Sequence, residues 1–349
     1  MEQIEGFEHS SEIQKKGTGT HMANIHHSLA ELVGHTPLME LDNYEKALGL
    51  PAHLLGKLEY FNPSGSVKDR IALNMIQAAE KDGKLKPGDT LLDFTSGNTG
   101  IATATYANAR GYHYAVVIQP GVSMERSLIL KALGTNLLQA QDVPGFMEML
   151  AEGLTMKRLD EVLGTYAAEK GYYYISQASN PANMNAHYEG TAPEIWEDTD
   201  GKVDYVVACV GTGGTLAGLS KFFREKNPDV RIVGVQPAEA SRRTPEHPNP
   251  NVIDGILVFD GVKKSLPTYF DEQKLPYDEV IEVVAEEAYA TGRKVARTDG
   301  LFLGQSAGAA IYAATQVAKR PEAAGKNIVM MLADNAFKYL STQMYKIED

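Results

Sequence analysis

Asn62-Pro63-Ser64-Gly65-Ser66-Val67-Lys68-Asp69-Arg70 sets one lysine at the mouth of a helix, behind a turn of Pro, Gly and Ser. An apolar helical pattern follows, in which Ile71, Ala72, Met75, Ile76 and Ala79 recur at helical spacing until Gly83 ends it. A lysine presented this way stands at a cleft rather than on a solvated face. A helix N-terminus and desolvation both disfavour the ammonium, so the amine becomes nucleophilic and can form an imine with an aldehyde cofactor.

Outward from this turn, strand-like and helix-like segments alternate. Thr90–Phe94, Tyr114–Ile118, Leu137-Leu138 and Tyr172–Ile175 read as strands of the first half. Between them, helices are expected from Thr99 to Arg110, from a Ser123 cap to Leu133, and as one long stretch from Glu148 to Glu169. The second half repeats the rhythm: strands at Val203–Val210, Ile232–Val235 and Ile328–Leu332, and helices at Gly214–Arg224, Ala285–Arg297 and Ala307–Val317. Near-continuous apolar strands alternating with helices predict an α/β fold of mostly parallel sheets covered by helices. Glu239 to Lys274 is Pro-rich and irregular, a loop excursion of the kind that carries function.

Ligands of such sheets bind where strands hand over to helices, and three more segments stand at such junctions. Thr95-Ser96-Gly97-Asn98-Thr99-Gly100 offers backbone N–H groups and short hydroxyls suited to a carboxylate, and Asn98 adds an amide for a ring hydroxyl. Gly211-Thr212-Gly213-Gly214-Thr215 lets backbone wrap closely round a phosphate. It lacks the following Lys-Ser or Lys-Thr pair of a nucleotide P-loop and the spacing of a dinucleotide fingerprint, so a compact phosphate monoester fits it best. Gly304-Gln305-Ser306-Ala307-Gly308 opens a helix with one central hydroxyl. An amine, a carboxylate cradle, a phosphate cradle and a hydroxyl together suit pyridoxal phosphate.

That set resembles the cysteine synthase and cystathionine β-synthase family, the fold-type II pyridoxal-phosphate enzymes. The resemblance runs from Gly34-His35-Thr36-Pro37-Leu38 to Tyr339-Leu340-Ser341-Thr342, and it includes Ser179-Asn180-Pro181-Ala182-Asn183 and Gly190-Thr191-Ala192-Pro193-Glu194-Ile195-Trp196. It implies two lobes, tryptophan synthase β-like, with the active site in the cleft between them. Residues 60–176 would form the lobe bearing Lys68 and the carboxylate loop; 23–59 with 177–349 would form the lobe bearing the phosphate loop and Ser306. By the family pattern Lys68 forms the cofactor imine and is the α-proton base, and Asn98 meets the ring oxygen. Gly211, Thr212, Gly213, Gly214 and Thr215 hold the phosphate. Ser306 meets the pyridine nitrogen, and Thr95, Ser96, Asn98, Thr99 and Gln177 meet the substrate. The implied reaction is β-replacement or β-elimination on O-acetyl-L-serine or L-cysteine through an α-aminoacrylate, in the manner of a cysteine synthase. A homodimer is implied too, with a serine acetyltransferase tail as a candidate partner of the cleft.

Asn251-Val252-Ile253-Asp254-Gly255-Ile256 departs from the family, which resembles Ile-Gln-Gly-Ile here in cysteine synthases and carries Glu in cystathionine synthases. Asp254 is either the residue of an Asp-Gly turn or a general base for water, which would turn L-cysteine into L-serine and sulfide. Leu332-Ala333-Asp334-Asn335 and the Ser306 segment lean toward the cystathionine synthase end. A purely binding role is the non-enzymatic alternative, and the presence of Lys68 speaks against it.

Bulk properties agree with a small-molecule enzyme. The chain has 349 residues, 43% of them hydrophobic, and a formal net charge of −12, which disfavours nucleic acid and anionic membranes. No apolar run reaches membrane-spanning length. Cys209 is the single cysteine, which excludes an internal disulfide and suits the cytoplasm. Residues 1–22 are polar and aperiodic and read as a disordered expression leader, with the natural chain opening at Met22. His21 and the pair His26-His27 then reflect leader and accident, and no metal site is expected.

Overall fold

The computed structural model describes residues 25–95, 97–118, 123–260, 267–270 and 276–346. The expected leader, residues 1–22, and Ser96 lie outside the described residues. The strands are β1 Leu38–Glu40, β2 His53–Leu58, β3 Thr90–Phe94, β4 His113–Val117, β5 Asn136–Leu138, β6 Tyr173–Tyr174, β7 Tyr205–Cys209, β8 Arg231–Pro237, β9 Glu279–Val283 and β10 Asn327–Leu332. They form two sheets, in the orders β1-β2-β10-β7-β8-β9 and β5-β4-β3-β6. All neighbours run parallel except β1, which pairs antiparallel with β2. The α/β expectation is therefore borne out.

The smaller sheet is built from one continuous stretch of chain, and the larger one borrows β1 and β2 from before it. Parallel strands buried on both faces must be apolar throughout, as Val206-Val207-Ala208 and Ile328–Leu332 are. Each sheet carries apolar clusters on both faces. Ile71, Met75, Ile76, Leu91, Ile101 and Tyr106 pack on one side of the smaller sheet. Leu92, Phe94, Phe146, Leu159 and Leu163 pack on the other.

Several elements differ from the sequence expectation. The single helix expected over Glu148–Glu169 is two, Phe146–Glu152 and Met156–Lys170. Gly153 takes φ 103°, a conformation that favours glycine, and the Thr155 hydroxyl accepts the Arg158 N–H at 3.2 Å to start the second helix. Strands β1, β2 and β9 and the helical run Pro181–Asp198 carry no strong periodic signal; tertiary pairing recruits them. Among the described residues no helix is long and apolar enough to cross a membrane.

Candidate active site

The motif around Lys68 folds so that every polar neighbour is consumed by the turn. Asp69 accepts from Ser64 N (2.7 Å), Ser64 Oγ (2.6 Å), Ser66 N (3.2 Å) and Tyr106 OH (2.7 Å). Asn62 donates to the Glu59 and Ser66 carbonyls and accepts the Gly34 N–H at 2.8 Å. Arg70 binds Glu59 at 2.7 Å and forks onto both oxygens of Glu194, each at 2.7 Å. Fully buried Lys57 joins the same network through Glu194 (3.1 Å) and Asp198 (2.9 Å). Buried charges tolerate this only because each is paired. Lys68 opens the helix Lys68–Lys81, and its Nζ makes no hydrogen bond or ion pair with any described residue.

Lys68 instead lines a cavity of about 50 Å³ together with Cys209, Gly211, Thr212, Gly213, Thr215, Gly255, Ile256 and Ser306. Burial depresses its amine below the ordinary lysine range, against the opposing pull of Asp334, Cys209 and Glu59. More of the amine is thereby unprotonated near neutral pH, and so free to act as a nucleophile or to take a proton.

Gly211–Thr215 runs from the end of β7 into the helix Gly214–Lys226. A Cβ on Gly211 would lie 2.6 Å from the Gly255 carbonyl oxygen, and one on Gly214 would lie 2.0 Å from Asn183 Oδ1. Gly213 takes φ +87°. The Thr212 hydroxyl accepts from Asn183 at 3.1 Å, and the Thr215 hydroxyl meets His187 Nε2 at 3.1 Å. Burial and the nearby cations Lys68 and Arg70 hold His187 well below its usual pKa, so it serves as a neutral hydrogen-bond partner. Gly214 itself packs beneath the cavity on Asn183 rather than lining it. Ser306 stands at the start of the helix Gln305–Ala318, where its carbonyl accepts from the Cys209 thiol at 3.2 Å. Burial pushes that thiol up to about 12, so Cys209 is a neutral wall of the cavity rather than a nucleophile.

Thr95, Asn98, Thr99 and Gln177 do not line this cavity; they gather at the carboxyl ends of β3 and β6. Thr95 and Thr99 are buried, and the Gln177 amide donates to the Phe94 carbonyl at 3.1 Å. Asn98 Nδ2 donates to Asp334 Oδ2 at 2.7 Å, which leaves its buried Oδ1 without a partner among the described residues. Asp334 also accepts from Tyr339 OH at 2.6 Å. Asp254 sits beside the cavity-lining Gly255, and its carboxylate is held by Arg126 at 2.5 Å. Its backbone N–H donates to Gln305 at 2.8 Å. Arg126 follows the Ser123 cap on the helix Met124–Ala132, and its Nη1 approaches Gly97. The pair therefore bridges the segment at Gly97 and the loop at Asp254.

Glu59, His187, Arg126 and Asp334 were not singled out as functional from the sequence. Arg126 stands three residues after a capping serine and Asp334 inside a segment already noted as unusual. Nothing local to either shows that Arg126 reaches Asp254 or that Asp334 reaches Asn98.

A family model described as pyridoxal-phosphate dependent enzyme matches residues 29–334. The chain belongs to that family. Among its curated relatives is a cysteine synthase of Staphylococcus aureus, 38% identical over 323 residues, covering 92% of this chain and 98% of the relative. A cysteine synthase structure from Entamoeba histolytica superposes with TM-score 0.79 at 35% identity, covering 96% of this chain and 95% of that one. The structure of an O-ureido-L-serine synthase matches with TM-score 0.77 at 33% identity, over 93% and 96% of the two chains. A hydrogen sulfide-producing enzyme from Fusobacterium nucleatum matches with TM-score 0.77 at 31% identity, over 90% and 100%. The chain is thus a cysteine synthase-family enzyme that depends on pyridoxal phosphate and acts by β-replacement.

The cavity fits such a cofactor. Its glycine cradle admits no Cβ at Gly211 or Gly214, and its donors cluster at a helix N-terminus suited to phosphate. The orphaned Asn98 Oδ1 is an acceptor awaiting a donor. Ser306 is a neutral neighbour, not a carboxylate.

Proposed function

We propose that this enzyme converts O-acetyl-L-serine and sulfide to L-cysteine and acetate. The reading is carried by one observation: Lys68, whose amine is unpaired among the described residues and depressed in pKa, shares a cavity with the Gly211–Thr215 loop and Ser306. On this reading the loop of Gly211, Thr212, Gly213, Gly214 and Thr215 would hold the phosphate, Ser306 would face the pyridine nitrogen, and Asn98, from outside the cavity lining, would accept from the ring hydroxyl through Oδ1. Bound there, pyridoxal phosphate supplies an electron sink for charge at the substrate Cα. Thr95, Ser96, Thr99 and Gln177 take the substrate carboxylate, with donors worth about 1–3 kcal/mol each when buried. Lys68 removes the α-proton as general base. The Cβ–O bond breaks to release acetate, hydrosulfide adds at Cβ, and Lys68 returns the proton to Cα. A neutral Ser306 leaves the ring a weaker sink than a carboxylate would, which favours prompt loss of the β-substituent over racemisation.

A second reading is favoured by the place of Asp254, next to the cavity wall at Gly255 and Ile256. There Asp254 acts as general base for water, and L-cysteine yields L-serine and hydrogen sulfide. A thiol amino acid in place of water would give a cystathionine synthase. The family resemblance also supports two lobes dividing at residues 60 and 176, a homodimer, a cytoplasmic location and a serine acetyltransferase tail as partner.

Colour tests the cofactor role. The protein loaded with pyridoxal phosphate shows a visible absorption band that Lys68→Ala removes; a band unchanged in the variant refutes the role of Lys68. Products then separate the reactions. Cysteine from O-acetylserine and sulfide supports the first reading. Serine and sulfide from cysteine alone, lost in Asp254→Asn, supports the second, and serine output unchanged in that variant removes Asp254 from the mechanism.

A further inference from the structure

Behind the carboxylate loop lies a buried carboxyl for which this chemistry has no use. Asp93 stands near the carboxyl end of β3 and is 1% exposed. Its Oδ1 accepts the Phe94 N–H at 2.8 Å, and the Gln177 backbone contributes a further hydrogen bond to the carboxyl. The Gln177 side chain closes the loop by donating to the Phe94 carbonyl. The carboxyl thus lies where the end of β3 meets the segment after β6, the two pieces of chain that carry Thr95 and Gln177. Its Oδ2 has no partner among the described residues, and neither do the buried Tyr114 hydroxyl on β4 and the Thr103 hydroxyl on the helix Asn98–Ala109.

The titratable groups facing Asp93 are Tyr114 from β4, Tyr174 from β6, Asp160 from the helix Met156–Lys170, and Tyr269. None is a cation. An ionised Asp93 would therefore be a buried, uncompensated charge beside the place where a substrate carboxylate docks.

We propose that Asp93 is a positioning residue that works as a neutral carboxylic acid: uncharged, it sets Thr95 and Gln177 for the substrate carboxylate, and on losing its proton it repels that carboxylate. The inference rests on the carboxylate reading above. Burial, chiefly, and then Asp160 raise the group from 3.8 to about 8, against the lowering by the Phe94 and Gln177 hydrogen bonds. With a raised pKa the neutral form holds at low and neutral pH and is lost as pH rises through about 8. Affinity for an amino-acid carboxylate then falls in that window.

The test titrates the cofactor-loaded enzyme with L-alanine, which has no β-leaving group, and follows the heat of binding at several pH values. Asp93→Asn keeps the hydrogen bonds and cannot ionise, and the amine of L-alanine titrates alike in both proteins. The expected ratio of wild-type to variant dissociation constants is near one at neutral pH and about tenfold near pH 9. Asp93→Ser, smaller and equally neutral, gives the same trend. A ratio independent of pH, with L-alanine still binding and Thr95→Val weakening it, overturns the inference and leaves the carboxylate reading standing. No binding of L-alanine by the wild type overturns both. In the wild type alone, carbon NMR of labelled aspartate must show one carboxyl titrating above neutrality; its absence also overturns the proposal.

Discussion

Replacing Gly211 by alanine is the sharpest probe of the cofactor cradle. The added Cβ lies 2.6 Å from the Gly255 carbonyl oxygen, where ordinary contact begins at 3.4 Å. The obstacle is backbone, and Gly255 holds φ +83° in its own turn, so no side chain can rotate away to relieve the clash. Either the Gly211–Thr215 loop moves outward or the Gly255-Ile256 wall moves back. Both open the cavity around the same donors. Overpacking of this kind costs about 1–3 kcal/mol. Charged to the bound state, that is roughly a 5- to 150-fold loss of cofactor affinity. The assay is an equilibrium titration of the cofactor-free protein with pyridoxal phosphate, read by its visible band, with thermal unfolding recorded in parallel. Cofactor affinity within about twofold of wild type, at unchanged melting temperature, would refute the claim that this loop closes on the phosphate.

Two other changes test the frame around the site. Glu194→Ala strips a shared partner from buried Arg70 and Lys57, and the loss is about 3–5 kcal/mol in denaturant unfolding; a loss near zero would show the network to be dispensable. Despite burial, which opposes it, the Arg70 hydrogen bonds and charge hold Glu194 down to about 2 from 4.5. Its contribution is thus present above pH 4.5 and lost as pH falls through about 2, which acid titration of wild type against the alanine variant checks. Gly164 lies within the helix Met156–Lys170 with nothing within 4 Å of an added Cβ and without a left-handed φ. Gly164→Ala should stabilise by about 0.5–1 kcal/mol without changing cofactor affinity; a destabilised variant would contradict that helix placement.

Much of the scaffold was legible because it rests on local rules. Apolar runs of strand length separated by amphipathic segments announce parallel sheets, and the glycines at strand-to-helix junctions announce close backbone approach. The misread helix over Glu148–Glu169 shows the limit. Apolar spacing continues across Gly153, and only the left-handed φ there and the Thr155 cap break it. The edge strands β1 and β9 and the run Pro181–Asp198 were invisible for a related reason. Pairing to β2 and to β8, and packing against Gly214 and Gly218, make them regular.

By itself the sequence determined the alternating α/β architecture, a lysine at a helix mouth and two loops shaped for anions. Those follow from residue type and spacing, which act over a few residues. The tertiary structure alone decided what surrounds them. Lys68 is left unpaired among the described residues while the nearby carboxylates Asp69, Glu59 and Glu194 are each taken by other donors, Glu194 by Arg70 from 124 residues away. Asn98 keeps an unpaired Oδ1 among the described residues because its amide nitrogen turns to Asp334, 236 residues on. Asp254 carries a counter-ion from the helix Met124–Ala132 because Arg126 reaches it across 128 residues. Which charges are paired, and which proton a buried carboxyl keeps, depends on desolvation and neighbours brought together only by folding, and no local pattern encodes that.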